Sequence, residues 1–188
     1  MTILRAFQDF PAEAALIGRM LAGYADLEID LMHCAKAVRV DLDLTLKAMF
    51  RSRGNAQRID IADALARQPY HALDIGAEFE TAIAAVRYCL RIRNLYAHCT
   101  WWSDNSGQLA FANLEELAKE NVVVVDLHGL TVCHVNVPHL QGQFAYFEYA
   151  DNLLIWVVQE GNQRAGRAAP PNWVLPAPVA PPPIVLRG

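Results

Sequence analysis

The residues most able to do chemistry are gathered in one run, Arg91-Ile92-Arg93-Asn94-Leu95-Tyr96-Ala97-His98-Cys99-Thr100-Trp101-Trp102. Two arginines, an asparagine and a histidine stand there in an otherwise apolar stretch. An arginine presents a rigid fork of donors that matches a phosphate. A histidine exchanges protons near neutral pH. Together they can cleave a phosphodiester without a metal ion.

Such a run needs an element to hold it. Ile75, Phe79, Ile83, Val86 and Leu90 recur at helical spacing, and the same stripe continues to Arg93 and Ala97. A helix is therefore expected from about Leu73 to Cys99. Arg87, Arg91, Asn94 and His98 follow one another at intervals of four, three and four, so they share a face beside the core stripe. Arg93 and His98 are five residues apart, about 140° around an ideal helix. Arg91 and Asn94 lie nearer the face of His98, so both Arg91 and Arg93 stand as partners for it.

Three further helices are expected around that one. Ile17, Met20, Tyr24, Leu27, Leu31, Ala35 and Val38 form a stripe from Pro11 to about Val40, with Pro11 where a missing N–H costs nothing. A second region runs from about Asp41 to Gln68, is broken near Ser52-Arg53-Gly54-Asn55, and should end at Pro69. The last runs from Pro138 to about Glu160, with Gly161 as its stop. Between the third and fourth, the period changes. Gln108–Phe111 suits a short strand, and Leu114–Glu120 a turn or two of helix. Val122–Leu127 and Leu130–Val137 flank His128-Gly129 as a β-hairpin. Seven of the ten prolines fall between Pro170 and Pro183, which favours extended polyproline backbone. Trp173, Val174, Leu175, Ile184, Val185 and Leu186 are expected to anchor that segment by packing. The expected fold is mainly α: an antiparallel four-helix bundle over residues 1–168, a hairpin inserted at about 108–137, and a proline-rich extended arm over 169–188.

The segment Arg93-Asn94-Leu95-Tyr96-Ala97-His98 resembles the signature of the HEPN superfamily, the higher eukaryotes and prokaryotes nucleotide-binding domain. That signature is an arginine, four to six residues, and a histidine, often with a polar residue after the arginine. Four residues separate Arg93 from His98, and six separate Arg91 from it. The motif also falls late in the third of four long helices, where the family carries it. The resemblance covers about residues 10–100 and 138–160. It implies a helical bundle that forms a homodimer, with two motifs facing one cleft, and a metal-independent endoribonuclease that needs no cofactor. By carry-over, His98 would act as general base or acid. Arg93 would stabilise the phosphorane-like transition state, Asn94 would position the histidine or a phosphate oxygen, and Arg91 would support them. RNA would be the substrate rather than DNA, because the reaction uses a 2′-hydroxyl. A setting in bacterial or phage stress response, toxin–antitoxin pairing or defence is implied by the family alone. In the branch that pairs with a nucleotidyltransferase antitoxin, a tyrosine stands two residues after the histidine. Thr100 stands there here, so control by modification at that place is not supported.

Composition sets the outer limits. Hydrophobic residues make up 54% and charged residues 19% of the 188, a globular balance. A net charge of −4 argues against a broad basic surface for non-specific nucleic-acid binding but leaves room for a local pocket. Cys34, Cys89, Cys99 and Cys133 are scattered and fit free thiols in a reducing, cytoplasmic setting. No charged segment followed by an apolar one stands at the start, so no export signal is expected, and with no run of about 18 apolar residues no membrane span is expected.

Blander roles are open to the same residues. Arg87, Arg91 and Arg93 could pair with Asp26, Glu28 or Asp30 on the first helix. His98 could serve the helix terminus. His33-Cys34 suits packing, as does Trp101-Trp102, although the tryptophans could also stack an RNA base. His128, His134 and His139 would form a metal site only if the fold gathered them. A non-catalytic dimeric module that uses the same bundle and dimer face to bind RNA, a nucleotide or a protein partner is the alternative function. Separately, the proline-rich arm could be a ligand for a proline-recognising domain, although packing on its own domain is favoured.

Overall fold

The computed structural model describes residues 4–113, 118–119, 132–168 and 173–185. The described chain is mainly helical with a small three-stranded antiparallel sheet. Its helices are α1 (Ala6–Asp9), α2 (Pro11–Arg39), α3 (Leu42–Phe50), α4 (Asn55–Ala72), α5 (Gly76–Ala97) and α6 (Val137–Arg164), and its strands are β1 (Cys99–Ser103), β2 (Leu109–Asn113) and β3 (Cys133–Val135). Among the described residues no helix is long and apolar enough to cross a membrane. The fold divides into two compact units. One takes Met1–Leu21, Arg91–Ala145 and Pro182–Gly188; the other takes Ala22–Leu90 and Tyr146–Pro181.

In the second unit the helical stripes fill the core. Tyr24, Leu27, Leu31 and Ala35 of α2 are buried, as are Ile75, Phe79, Ile83, Val86 and Leu90 along α5. Asp41 caps α3 by accepting from the Leu44 N–H at 2.9 Å. The expected break falls between α3 and α4, but Pro69 does not end the helix. It lies inside α4, which runs on to Ala72. A proline there frees the carbonyl four residues earlier. That carbonyl, on Leu65, accepts instead from the Arg39 Nε at 2.6 Å. The stop is the left-handed Asp74 (φ +57°), with the Ile75 N–H on the Tyr70 carbonyl and the Asp74 N–H on the His71 carbonyl.

Gly161 likewise is no terminator. Helix α6 continues to Arg164. A Cβ at Gly161 would lie 2.7 Å from Tyr70 Cε1, so the glycine is there to let the tyrosine ring lie close. Tyr70 is fully buried, stacks on Phe79 at 4.7 Å and donates to the Cys34 carbonyl at 2.9 Å. The terminator is Gly166 (φ +68°). The Arg167 N–H bonds the Asn162 carbonyl at 2.9 Å and the Gly166 N–H bonds the Gln163 carbonyl at 3.0 Å, the paired closure of a Schellman end.

The first unit holds the sheet, in the order β1-β2-β3. Trp101 faces Phe111, which faces Cys133. Asn105 (φ +66°) and Gly107 (φ +77°) make the β1–β2 turn, and Asp104 accepts from the Ser106 N–H at 3.0 Å. The sheet differs from the expected hairpin. Its first strand begins at Cys99, the expected end of the third helix, and runs on to Ser103, where no strand is expected, and Val137 already belongs to α6. The strand expected over Val122–Leu127, its turn and most of the helical turn at Leu114–Glu120 lie outside the described residues. Asn136 caps α6 by accepting from the His139 N–H at 3.0 Å.

The proline-rich segment carries no helix or strand over the described residues 173–183. Trp173, Val174 and Leu175 are exposed rather than packed as anchors. The hold is polar and comes later. Buried Gln143 donates through Nε2 to the carbonyls of Pro183 and Ile184, each at 3.0 Å. A buried amide needs acceptors, and backbone carbonyls at the end of the arm supply them.

Candidate functional site

Helix α5 stops at Ala97, one residue before His98. The His98 N–H reaches the Leu95 carbonyl at 3.4 Å, a tightened last turn, and the Cys99 thiol donates to the same carbonyl at 2.9 Å. Thr100, Trp101 and Trp102 then suit a strand better than a helix, and they pair with β2. His98 is thus a hinge residue between helix and strand, and the ideal-helix angle between Arg93 and His98 no longer applies to it.

Arg91, Asn94 and His98 are exposed and Arg93 is half-buried. Arg93 Nη1 donates to Asn94 Oδ1 at 3.2 Å. Asn94 therefore orients the guanidinium. Among the described residues no carboxylate pairs with Arg93. Arg87, four residues before Arg91, differs: its Nη2 donates to Asp60 at 2.8 Å and to Asp63 at 3.4 Å. Its acids lie on α4, not on the first long helix as the sequence suggested. Glu28 of that helix is buried and pairs with Arg58 at 2.7 Å.

One residue past His98 the chain forms a wall of a cleft of about 590 Å³. Trp102, Ser103 and Asn105 line it, and Arg5 and Asp9 face them from the N-terminal segment. Sequence reasoning missed Arg5 and Asp9. They carry no local pattern, and only the fold brings them beside β1. Trp101 is held in an aromatic cluster, with ring centroids 5.4 Å from Phe7, 5.7 Å from Tyr96 and 5.2 Å from Phe111. Tyr96, inside the motif, is buried and donates to Gln143 Oε1 at 2.6 Å. That bond fixes the last turn of α5 from within.

Burial, with Cys133 nearby, pushes the Cys99 thiol up to about 12, so it stays protonated beside His98 and is no thiolate nucleophile at neutral pH. The other histidines are engaged separately. His134 meets Asp104 at 2.7 Å, and hydrogen bonds from Ser106 and His134 hold that carboxyl well below its usual range. His139 contacts Gln143 at 3.0 Å and burial lowers its pKa. His128 lies outside the described residues, and among those described no group of three ligands could hold a metal ion. No protein-family model matches the chain, and neither a curated protein nor a solved structure does.

Proposed function

We propose that the chain is a HEPN-type, metal-independent endoribonuclease that works as a homodimer of helical bundles. The observation that carries this reading is Arg93: a half-buried guanidinium, oriented by Asn94 and answered by no described carboxylate, at an exposed helix end that also presents His98. An oxyanion is the partner such a fork accepts best.

In this mechanism His98 takes the proton of a ribose 2′-hydroxyl. The 2′-oxygen attacks phosphorus, and the 5′-oxygen leaves with a proton from the imidazolium of the second copy. Arg93 offsets the charge that builds on the non-bridging oxygens, and Arg91 adds a second cation near the path of the strand. The products are a 2′,3′-cyclic phosphate and a 5′-hydroxyl. A stress-response or defence setting rests on the family resemblance alone.

The alternative, a non-catalytic binding module, draws on the exposed Trp173, Val174, Leu175 and Val179 of the arm. One assay separates the two. Wild type, His98→Ala and Arg93→Ala are incubated with a mixed RNA panel in EDTA. Cleavage that ends in a cyclic phosphate and disappears in both variants supports the nuclease. A folded wild type that cuts nothing favours the module, and activity abolished by EDTA overturns the mechanism.

A further inference from the structure

A second cavity, of about 320 Å³, lies wholly within the other unit. Its size falls at the lower end of small-molecule sites. One wall is the face of α2 that carries Asp30, His33 and Lys36. The other is the face of α6 that carries Gln159 and Asn162. Arg167 closes one end.

The two cations of this cavity, Lys36 and Arg167, stay without an ion pair among the described residues. Arg167 is nevertheless fixed. The Schellman end at Gly166 turns it back, its N–H bonds the Asn162 carbonyl at 2.9 Å, and its Nε donates to Asn162 Oδ1 at 3.0 Å. Its Nη2 is shielded from water and has no hydrogen-bond partner. A buried donor left without an acceptor costs stability, and sites that keep one commonly use it. The one carboxylate on the wall, Asp30, is engaged by Asp151 rather than by either cation. Val40, Ile155 and Val158 supply an apolar floor. Val40 holds φ +57°, a conformation a β-branched residue rarely takes.

We propose that this cavity binds a small molecule carrying one oxyanion, a carboxylate or a phosphate ester, on an apolar body. The oxyanion lies between Lys36 and Arg167, whose fork suits two oxygens at once. Gln159 adds a hydrogen bond, and the body covers Val40, Ile155 and Val158. A metal ion is a poor occupant beside two permanent cations. A nucleic-acid strand is a poor one as well, since two cations fall short of the row of phosphate contacts a strand needs.

Calorimetric titration of the full chain tests this with four probes: benzoate, phenyl phosphate, inorganic phosphate and benzylamine. Saturable binding of benzoate or phenyl phosphate is expected, tighter than inorganic phosphate, with none for benzylamine. The stronger of the two names the oxyanion. Lys36→Gln, at an exposed position, and Arg167→Gln should each weaken that probe about tenfold or more. Thermal melting checks that both variants stay folded. No saturable binding of either aromatic anion, benzylamine binding as tightly, or affinity unchanged in Lys36→Gln overturns the proposal.

Discussion

Arg87 and Arg93 stand six residues apart on one helix and have opposite surroundings. Arg87 meets Asp60 and Asp63, and Asp63 is also held from the side by Arg67 through Nε at 3.0 Å and Nη2 at 2.8 Å. Arg67 goes on to Glu80 at 2.6 Å, where His71 joins at 3.0 Å. Hydrogen bonds from His71 and the charge of Arg67 depress the Glu80 carboxyl. That network closes on itself: each charge has an answer within the protein. Arg93 has a neutral amide, Asn94, as its hydrogen-bond partner, and among the described residues no carboxylate meets it. The difference teaches that residue type alone does not mark a site on this helix. What singles out Arg93 as a candidate is that no carboxylate among the described residues answers it.

The largest effect expected from this contrast is on RNA cleavage. His98→Ala and Arg93→Ala should each lower the rate by about 10²–10³-fold, the range for a lost general acid–base group or a lost charge at the transition state. Arg87→Ala should leave the rate within about twofold. Single-turnover rates on one cleaved RNA check all three. Equal losses in Arg87→Ala and Arg93→Ala would erase the distinction between the two arginines.

The next effect is on stability and belongs to the closed network. Asp63 is 8% exposed and accepts from two arginines. Asp63→Ala removes those charge-assisted bonds and leaves Arg67 and Arg87 facing each other, which should cost about 2–3 kcal/mol in urea unfolding. Arg93→Ala breaks one exposed bond to a neighbouring side chain and should cost under about 0.5 kcal/mol. If Arg93→Ala destabilised as much as Asp63→Ala, Arg93 would be a structural residue.

A third effect tests packing in the same unit. Gly161→Ala drives a methyl against the buried Tyr70 ring, and overpacking of this kind costs about 1–3 kcal/mol. Thermal melting should show a fall of several degrees. No fall would mean that Tyr70 can move aside, and its bond to the Cys34 carbonyl would then be weak.

Much of this architecture was legible because it rests on periodicity. The stripes from Ile17 to Ala35 and from Ile75 to Leu90 are buried as their spacing requires, and Pro11 opens α2 as its missing N–H allows. The errors are of a different kind. Pro69 and Gly161 were read by their local tendencies, as a helix breaker and a helix stop. Both were overruled by distant partners: the Arg39 guanidinium that takes up the Leu65 carbonyl, and the Tyr70 ring that needs a residue without a side chain. Strand β1 was hidden because Cys99–Ser103 is too short to show a period, and its pairing with Leu109–Asn113 supplies the reason it forms. The candidate site was legible as a list, Arg91, Arg93, Asn94 and His98. Its electrostatics were not, because which arginine finds an acid depends on α4, and the acids of α4 have no special pattern.

Asp30 extends the comparison to carboxylates and gives the smallest effect. Asp63 is answered by arginines, while Asp30 is answered by another acid. Burial, then the hydrogen bond and charge of Asp151, then the charge of Asp26, raise the Asp30 carboxyl to about 7. Unfolded, it would titrate near 4. The folded state therefore holds a proton that the unfolded chain gives up. The stabilising contribution of that proton is complete below about pH 4 and is lost as pH rises towards 7. Asp30→Asn keeps the neutral shape at every pH. It should be close to neutral at pH 4 and should raise stability by about 1 kcal/mol at pH 8, a figure already reduced for the solvent that reaches this half-buried group. Urea midpoints at the two pH values check it. An Asp63→Asn variant should instead lose stability, because it gives up the ion pairs with Arg67 and Arg87. The same gain in Asp30→Asn at pH 4 and at pH 8 would mean that Asp30 and Asp151 share no proton, and that the acid pair is held by packing alone.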